Sequence, residues 1–380
     1  MINIEYSIWK TACESINKVK KSTLKNSLQW YPVSKLSKQE KDIISSEDFF
    51  NNYIKSGTYL MSYKFQNIFQ YFLPKSDLNL RAISLINPID LYFSTALGFY
   101  LNNKYKDKRD LDYFSVYYAG DLSEPNITYN KPYDDFYKKI NSMRDFYSNF
   151  IKIDLQNFYP SININRLIKI LLDKCKLNAQ EAEYLKDYFL YLGDGKFPFI
   201  ENCATFSFIA TKIYLEYIDI ALTKHLKNSD SINDFYCVRY VDDLYVFFNC
   251  SEENLNHIKN NLIFELTSIL QEYNLMYNPN KLISSNCGDI DEYLKQSFYG
   301  DECDKIGFEI LDMFDSALIK TFLLKLIDLQ QKHMLNVDTY NNIINEVFVL
   351  EGVEYSSYEI FRNFCFIICD MYTSICIIWN

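Results

Sequence analysis

Glycine and proline are scarce in this sequence, nine and eight in 380 residues, so little of it serves as flexible linker. The three histidines, His225, His257 and His333, lie far apart, and the ten cysteines form no CxxC pair. That excludes a zinc site of the usual ligand spacing and a secreted disulfide framework, and leaves reduced cysteines as the expectation. No period of about 20 to 50 residues repeats, which excludes a solenoid or propeller. The first residues, "MINIEYSIWKTACESINKVKK", hold no uninterrupted apolar core of signal-peptide type, so the expected location is cytoplasmic. The last stretch, "FCFIICDMYTSICIIWN", is apolar but split by Asp370, and it falls short of the roughly 18 to 20 residues that a membrane span needs. A buried helix or a subunit contact is expected there, with no membrane partner.

Apolar and aromatic residues are abundant. Hydrophobic residues make up 48% of the chain, with 33 Tyr and 29 Phe, enough to bury the core of one large multi-lobed unit or of two to three subdomains. The net charge of −10 argues against a general affinity for nucleic acid, although the local distribution matters more than the sum. Lys18, Lys20, Lys21 and Lys25 form one basic cluster, and Lys104, Lys106, Lys108 and Arg109 another; both read first as solvated faces.

The middle of the chain is patterned most clearly. "FIKIDL" (150–155) is β-rich and alternating, and "INRLIKILLDKCKL", "AQEAEYLKDYFLYLG" and "FSFIATKIYLEYIDIALTKHL" then read as helical. "FYCVRYVDDLYVFF" reads as two strands around a tight turn. After Ser251, a candidate N-cap, Leu255, Ile258, Leu262, Leu266, Ile269 and Tyr273 recur at helical steps. "LMYNPNKLIS" (275–284) returns to extended character. Strand, helices, hairpin, helix, strand is the β-α-β-β-α-β order of a ferredoxin-like sheet. In such a sheet the first strand lies beside the hairpin, which brings Asp154 next to the turn that holds Asp242 and Asp243.

Three converging carboxylates repel one another, so either their pKa values rise or a cation sits among them. All-oxygen ligation suits Mg²⁺ or Mn²⁺, and two such ions serve in-line attack on phosphorus. An Asp pair in a turn is by itself weak evidence, because Asp tolerates turn geometry at a surface. The chain even repeats the pair in "KPYDDFY", where Tyr133, Asp134 and Asp135 follow Pro132 at a helix start. What distinguishes the second copy is its strand context and the separate Asp154.

"VRYVDDLYVFF" resembles the catalytic hairpin of reverse transcriptases, and "IKIDLQNFYPSI" resembles the first catalytic motif of the same family, in the same chain order. The resemblance covers roughly residues 70 to 310. It implies an α+β right-hand polymerase with a ferredoxin-like palm, fingers and a helical thumb. The divisions it suggests are an N-terminal helical extension (1–60), fingers (61–149), palm (150–310) and a thumb with the C-terminal segment (311–380).

By the same resemblance Asp154, Asp242 and Asp243 are the catalytic and metal-holding acids, with the carbonyl of Leu155 as a further metal ligand. Tyr159 lies where the family packs an aromatic beneath the incoming sugar. Lys281, in "YNPNKL", matches the lysine that approaches the triphosphate. "PKSDLNLRAISLINPIDLYFSTAL" is similar to the fingers segment of bacterial members, which makes Arg81 and Lys75 candidates to grip the triphosphate. "IGFEIL" (306–311) matches the hairpin that holds a primer end, and "SALIKTFLLKLIDLQQKHML" (316–335) would begin the thumb.

The second nucleotide-binding motif departs from the family's Gly-x-Pro-x-Gly-x-x-x-Ser. In "FIENCATFS", Phe199 and Cys203 stand where glycines belong and Glu201 replaces the proline, while Ser207 is retained. Glycines there permit close backbone approach, so ordinary template handling is put in question. A compact chain with this altered motif looks most like the defence-associated or abortive-infection reverse transcriptases of bacteria. That likeness implies dNTPs and a template and primer as partners, a dedicated non-coding RNA or a second defence protein, and homo- or hetero-oligomers. Three functional expectations follow: RNA-directed DNA synthesis in anti-phage defence, untemplated or protein-primed synthesis, and an inactive nucleic-acid-binding assembly subunit.

Overall fold

The computed structural model describes residues 2–19, 29–56, 69–76, 79–122, 127–229, 231–232, 234–250 and 254–295, with isolated positions between 321 and 346. The chain divides into two compact units. The first comprises Met1–Lys20, Leu36–Tyr71 and Ile83–Leu294, and the second Lys21–Lys35, Phe72–Ala82 and Lys295–Asn380. Of the second, the Tyr31–Lys35 helix and the outer part of a hairpin formed by β1 (Phe69–Ser76) and β2 (Asn79–Leu85) are described.

A five-stranded sheet organises the first unit, with strands β3 (Phe114–Tyr117), β4 (Asn149–Asp154), β5 (Asp234–Tyr240), β6 (Asp243–Asn249) and β7 (Ile283–Asn286). Their order is β3-β5-β6-β4-β7. The last four lie in the order of a β-α-β-β-α-β unit, with β4 antiparallel to both β6 and β7. The fifth strand, β3, was not foreseen; it adds to the edge parallel to β5, from Phe114 opposite Cys237 to Tyr117 opposite Tyr240.

Helices arise where the periodicity predicts them: Ile164–Lys174, Ala179–Leu192 and Leu255–Glu272. Asn178 and Glu181 form a reciprocal capping box at the start of the second, satisfying two otherwise orphaned amides. Ser251 lies outside the described residues, and the last helix begins at Leu255 with no side-chain cap at Asn254. The apolar run 206–226 is not one helix. It is broken into Ala204–Phe208, a π-helical turn Ile209–Tyr214, and Glu216–Lys227. Such π segments are uncommon and concentrate near functional sites.

The two faces of the sheet are covered differently. Phe150, Val238, Tyr245 and Phe247 project to one face, where Phe136, Ile140 and Met143 of the Asn130–Met143 helix and Ile290 and Leu294 pack on them. Tyr133 and Asp135 lie on this helix, so the repeated Asp pair belongs to a covering element; Asp135 pairs with Lys131 at 4.0 Å. On the opposite face Arg239 (1% exposed) meets the Glu216–Lys227 helix through Asp219.

Asp219 is shared by two buried arginines. Arg109 Nε donates to Oδ2 at 2.8 Å, and Arg239 Nε and Nη2 donate to Oδ1 at 2.9 and 2.5 Å. Arg109, read from sequence as part of a solvated basic face, is therefore interior, where it also donates to the carbonyl of Thr211. A guanidinium enters the core only with such charge-assisted bonds.

The long helix Pro88–Lys104 opens at Asn87, whose side chain accepts from the amide of Asp90, and it packs closely on Ala204–Phe208. Gly98 permits that approach, since a Cβ there would lie 2.2 Å from Thr205 Oγ1. Thr205 Oγ1 in turn donates to the carbonyl of Ser94 at 2.8 Å, which fixes the segment that carries the altered motif.

Candidate active site

Strand register gathers the acids. Asp154, the last residue of β4, is the cross-strand partner of Asp243, the first of β6. Asp243 also pairs with Tyr240, so Val241 and Asp242 form a two-residue turn. Turns of this length need a positive φ, which usually selects Gly or Asn; here Val241 adopts φ +53°. A β-branched residue in that region is strained by about 1–2 kcal/mol. The turn is tied down from outside the hairpin, because the Val241 amide donates to the carbonyl of Tyr117 in β3 at 3.1 Å.

The face that carries the acids changes character along its length. Phe150 opposes Phe247, Lys152 opposes Tyr245, and Asp154 opposes Asp243. Cross-strand partners and alternate residues share a face, so an aromatic core passes through a lysine into a carboxylate pair. Tyr245 is buried, and its phenol is pushed far up by loss of solvent and then by the charge of Asp243. Tyr240 is raised likewise, by burial first and then by Tyr133, Asp242 and Asp243. Both phenols stay neutral donors across the physiological range.

The segment 275–281 is bound to the end of β4. Gln156 donates its amide to the carbonyl of Met276 at 2.8 Å and Asn278 donates to that of Asp154 at 2.7 Å, flanking a Leu155–Tyr277 bridge. These bonds use the residues either side of Leu155 and leave its carbonyl outside them. Asn278 then caps a short 3₁₀ turn, Pro279–Lys281, by accepting from the amide of Asn280. The result is Lys281 Nζ at 3.0 Å from Asp154 Oδ1, its side chain 46% exposed while Asp154 is 5% exposed.

Among the described residues no three acidic, cysteine or histidine side chains gather closely enough to enclose a metal ion. The donor set at this end of the sheet is all carboxylate and carbonyl oxygen, which is what a hard divalent cation takes. Positive charge is already drawn to it: Lys281 meets Asp154, and Lys152 Nζ lies 3.8 Å from Asp243 Oδ1. By donor chemistry these acids are ones a hard divalent cation would take, and in this structure two lysine ammonium groups lie on them.

Tyr159 follows β4 through Asn157, at φ +47°, on the one-turn helix Phe158–Ser161. Its ring stands edge-on to Phe199 at 4.8 Å and stacks on Phe197 at 6.2 Å. Phe199, which replaces a glycine of the family pattern, thereby takes the space beside Tyr159, and its carbonyl accepts from the amide of Ser84 at 2.9 Å. Cys203 is buried and its thiol is pushed up to about 12 by that burial, so it is an inert packing group. Ser207 is 3% exposed and accepts from the amide of Ala119 at 2.9 Å, a bond that joins the Ala204–Phe208 helix to the loop after β3.

Asp154, Asp242, Asp243, Leu155 and Lys281 are therefore at one end of the sheet, and Tyr159 lies five positions beyond Asp154. Ser207 is interior. Lys75 lies on β1 and Arg81 on β2, but their side chains fall outside the described residues, as do 306–311, most of 316–335, and Lys20, Lys21 and Lys25. A separate cavity of about 390 Å³, lined in part by Tyr117, Tyr118, Asp135 and Lys212, holds none of the nominated residues. Lys152 was not nominated from sequence, although its place two residues before Asp154 in an alternating strand was signal enough.

Among solved structures the chain is similar to an RNA-dependent RNA polymerase described with vp4 and dsRNA, at 12% identity and a TM-score of 0.38, over 74% of this chain and 25% of that one. It is similar to apo telomerase from Candida tropicalis at 13% identity and a TM-score of 0.33, over 63% of this chain and 50% of that one. For telomerase from Candida albicans with a fragment of telomeric RNA the figures are 13% and 0.35, over 83% of this chain and 63% of that one. The chain thus spans from a quarter to under two thirds of the length of these structures. A family model described as a domain of unknown function, DUF8609, matches residues 310–379. No curated protein matches the sequence. No helix among the described residues is long and apolar enough to cross a membrane.

Proposed function

We propose that this chain is an RNA-directed DNA polymerase that transfers nucleotides from dNTPs to a primer hydroxyl. The observation that carries the reading is the register pair Asp154–Asp243 beside the Asp242 turn, with Lys281 delivered onto Asp154 by a separate loop. The sheet is then the palm of a right-hand polymerase, with the β1/β2 hairpin in the fingers and the chain beyond residue 311 in the thumb.

The primer oxygen forms a bond to the α-phosphorus, the α–β phosphoanhydride bond breaks, and pyrophosphate leaves. Asp154, Asp242, Asp243 and the Leu155 carbonyl would hold Mg²⁺ or Mn²⁺, which when bound would lower the pKa of the attacking hydroxyl and neutralise charge on the phosphates. Lys281 swings from Asp154 to the triphosphate and gives its proton to the departing pyrophosphate, while the proton of the hydroxyl passes to solvent. Tyr159 bounds the sugar, and triphosphate binding is the role that the sequence resemblance implies for Arg81 and Lys75. Anti-phage defence in the bacterial cytoplasm, with a dedicated RNA or a second protein in an oligomer, is the biological setting that the sequence resemblance favours.

A second reading, untemplated or protein-primed synthesis, is favoured by one observation. Phe199 stands against Tyr159 where a glycine would have left room for backbone approach to a paired template base.

Protein purified with its native nucleic acid is supplied with labelled dNTPs and Mg²⁺ beside the D154N, D242N and D243N variants, and the products are sequenced before and after protease. Product that depends on the three acids and copies a co-purified RNA supports the first reading. Acid-dependent product without a template, or bound to protein, supports the second. Product of equal yield from the Asn variants overturns both.

A further inference from the structure

We propose that Lys152 is a positioning residue of the acid cluster, an internal cation that holds Asp243 and limits how tightly the site binds a divalent ion. The inference rests on the nucleotidyl-transfer reading and concerns a residue which that reading does not use.

All six residues of β4 are buried, and Lys152 is the one base among them, at 8% exposure. Burying an ammonium is costly unless a partner offsets it. Three features set the partner. Lys152 shares a face with Asp154, two positions on, and both stand opposite β6, on Tyr245 and Asp243 respectively. The ammonium lies 3.8 Å from Asp243 Oδ1. It also sits over the Tyr245 ring at 5.4 Å, and that ring's neutral phenol adds no competing charge.

Lys152 therefore approaches the acids from the core side, whereas Lys281 reaches them through a side chain that is nearly half exposed. The two lysines divide the work. One is replaceable by an arriving cation or triphosphate; the other is built into the sheet and stays. A fixed positive charge of this kind keeps Asp243 in one rotamer and lowers the pull of the cluster on a divalent ion, so that the ion is not trapped after each transfer.

The signature is a split that a merely structural lysine would not give. In full-length K152M, Mn²⁺ followed by electron paramagnetic resonance should bind more tightly, by about fivefold or more, since a nearby positive charge is gone. Transfer of dNTP at saturating Mg²⁺ should nevertheless slow by roughly tenfold or more. K152R, which keeps the charge, should stay close to wild type in both. Wild-type Mn²⁺ affinity in K152M, or K152R as impaired as K152M, overturns the proposal. If circular dichroism shows K152M to be unfolded, K152Q is read by the same two measurements. A wild-type protein that binds Mn²⁺ but transfers no nucleotide defeats the polymerase reading, while the Mn²⁺ comparison still decides the role of Lys152.

Discussion

Replacing Asp219 by Asn tests the buried charge network and needs no assumption about activity. Asp219 is fully buried and accepts three bonds, from Arg109 Nε on one oxygen and from Arg239 Nε and Nη2 on the other. Asparagine has one acceptor oxygen and one NH₂. Whichever way the amide faces, an NH₂ is turned toward a guanidinium N–H, so at least one bond becomes a donor–donor clash. The carboxylate charge is also lost, leaving two buried guanidinium groups with only Asp107, at 3.1 Å from Arg109, as a remaining acid partner. Breaking a buried pair by removing one member costs about 3–5 kcal/mol. Against the roughly 5–15 kcal/mol that holds a typical domain, that is a large share. Urea unfolding of wild type and D219N, followed by tyrosine and tryptophan fluorescence, should give a loss in this range. The double variant D219N/R239M should recover part of it, because the two changes remove an interaction between contacting groups. A loss below about 1 kcal/mol, or strict additivity in the double variant, would refute the reasoning that the network is held by charge.

Gly98→Ala should destabilise by about 1–3 kcal/mol despite the better helix propensity of alanine, because its methyl meets Thr205 Oγ1; thermal unfolding checks this. Val241→Gly relieves a positive φ but frees the unfolded chain, so stability should change by less than about 1 kcal/mol while nucleotide incorporation falls as the turn loosens; a large gain in stability with full activity would contradict it. Asp107 is held below the usual carboxylate range, burial opposing and Arg109 then Lys212 prevailing. A depressed carboxylate contributes stability above its unfolded pKa and loses it as pH falls through the folded one. Urea midpoints should therefore drop below about pH 4 more steeply in wild type than in D107N. Phe199→Gly should enlarge the space beside Tyr159 and raise the share of template-matched product in sequenced DNA.

The parts of the fold that could be read from sequence were those with a strong local period. The alternation in 150–155 marked one strand and that in 235–248 two more around a turn, and the three- and four-residue steps from Leu255 marked a helix. β3 escaped because "FSVY" is only four residues long and earns its place from parallel pairing with β5, a partner far along the chain. Within the basic cluster at 104–109 only Arg109 was misread, Lys106 and Lys108 being exposed, and for a similar reason: nothing near Arg109 in sequence reveals that Asp219 lies beside it. The run 206–226 reads as helical from end to end, which hides the π turn, since period alone does not register one extra residue per turn. At the site, spacing and strand context brought out Asp154, Asp242 and Asp243. Lys281 required a family pattern, and its contact with Asp154 depends on backbone bonds at 276–278 that leave no trace in composition. Lys152 could have been found by applying the period-two rule to the strand already identified.

The tether between Val241 and Tyr117 bears on the order in which the molecule is made. The turn at Val241 and Asp242 and the acids beside it draw on β3, on β4, on their own hairpin, and on a loop that ends at Lys281. Contacts so distant in sequence form late and slowly, since chain closure must precede any reward. A nascent chain emerging from the ribosome has Tyr117 and Asp154 exposed well before Val241 and Lys281 arrive. The acids are thus brought together only when the sheet is nearly finished, and an incompletely synthesised chain carries the acidic residues without their arrangement.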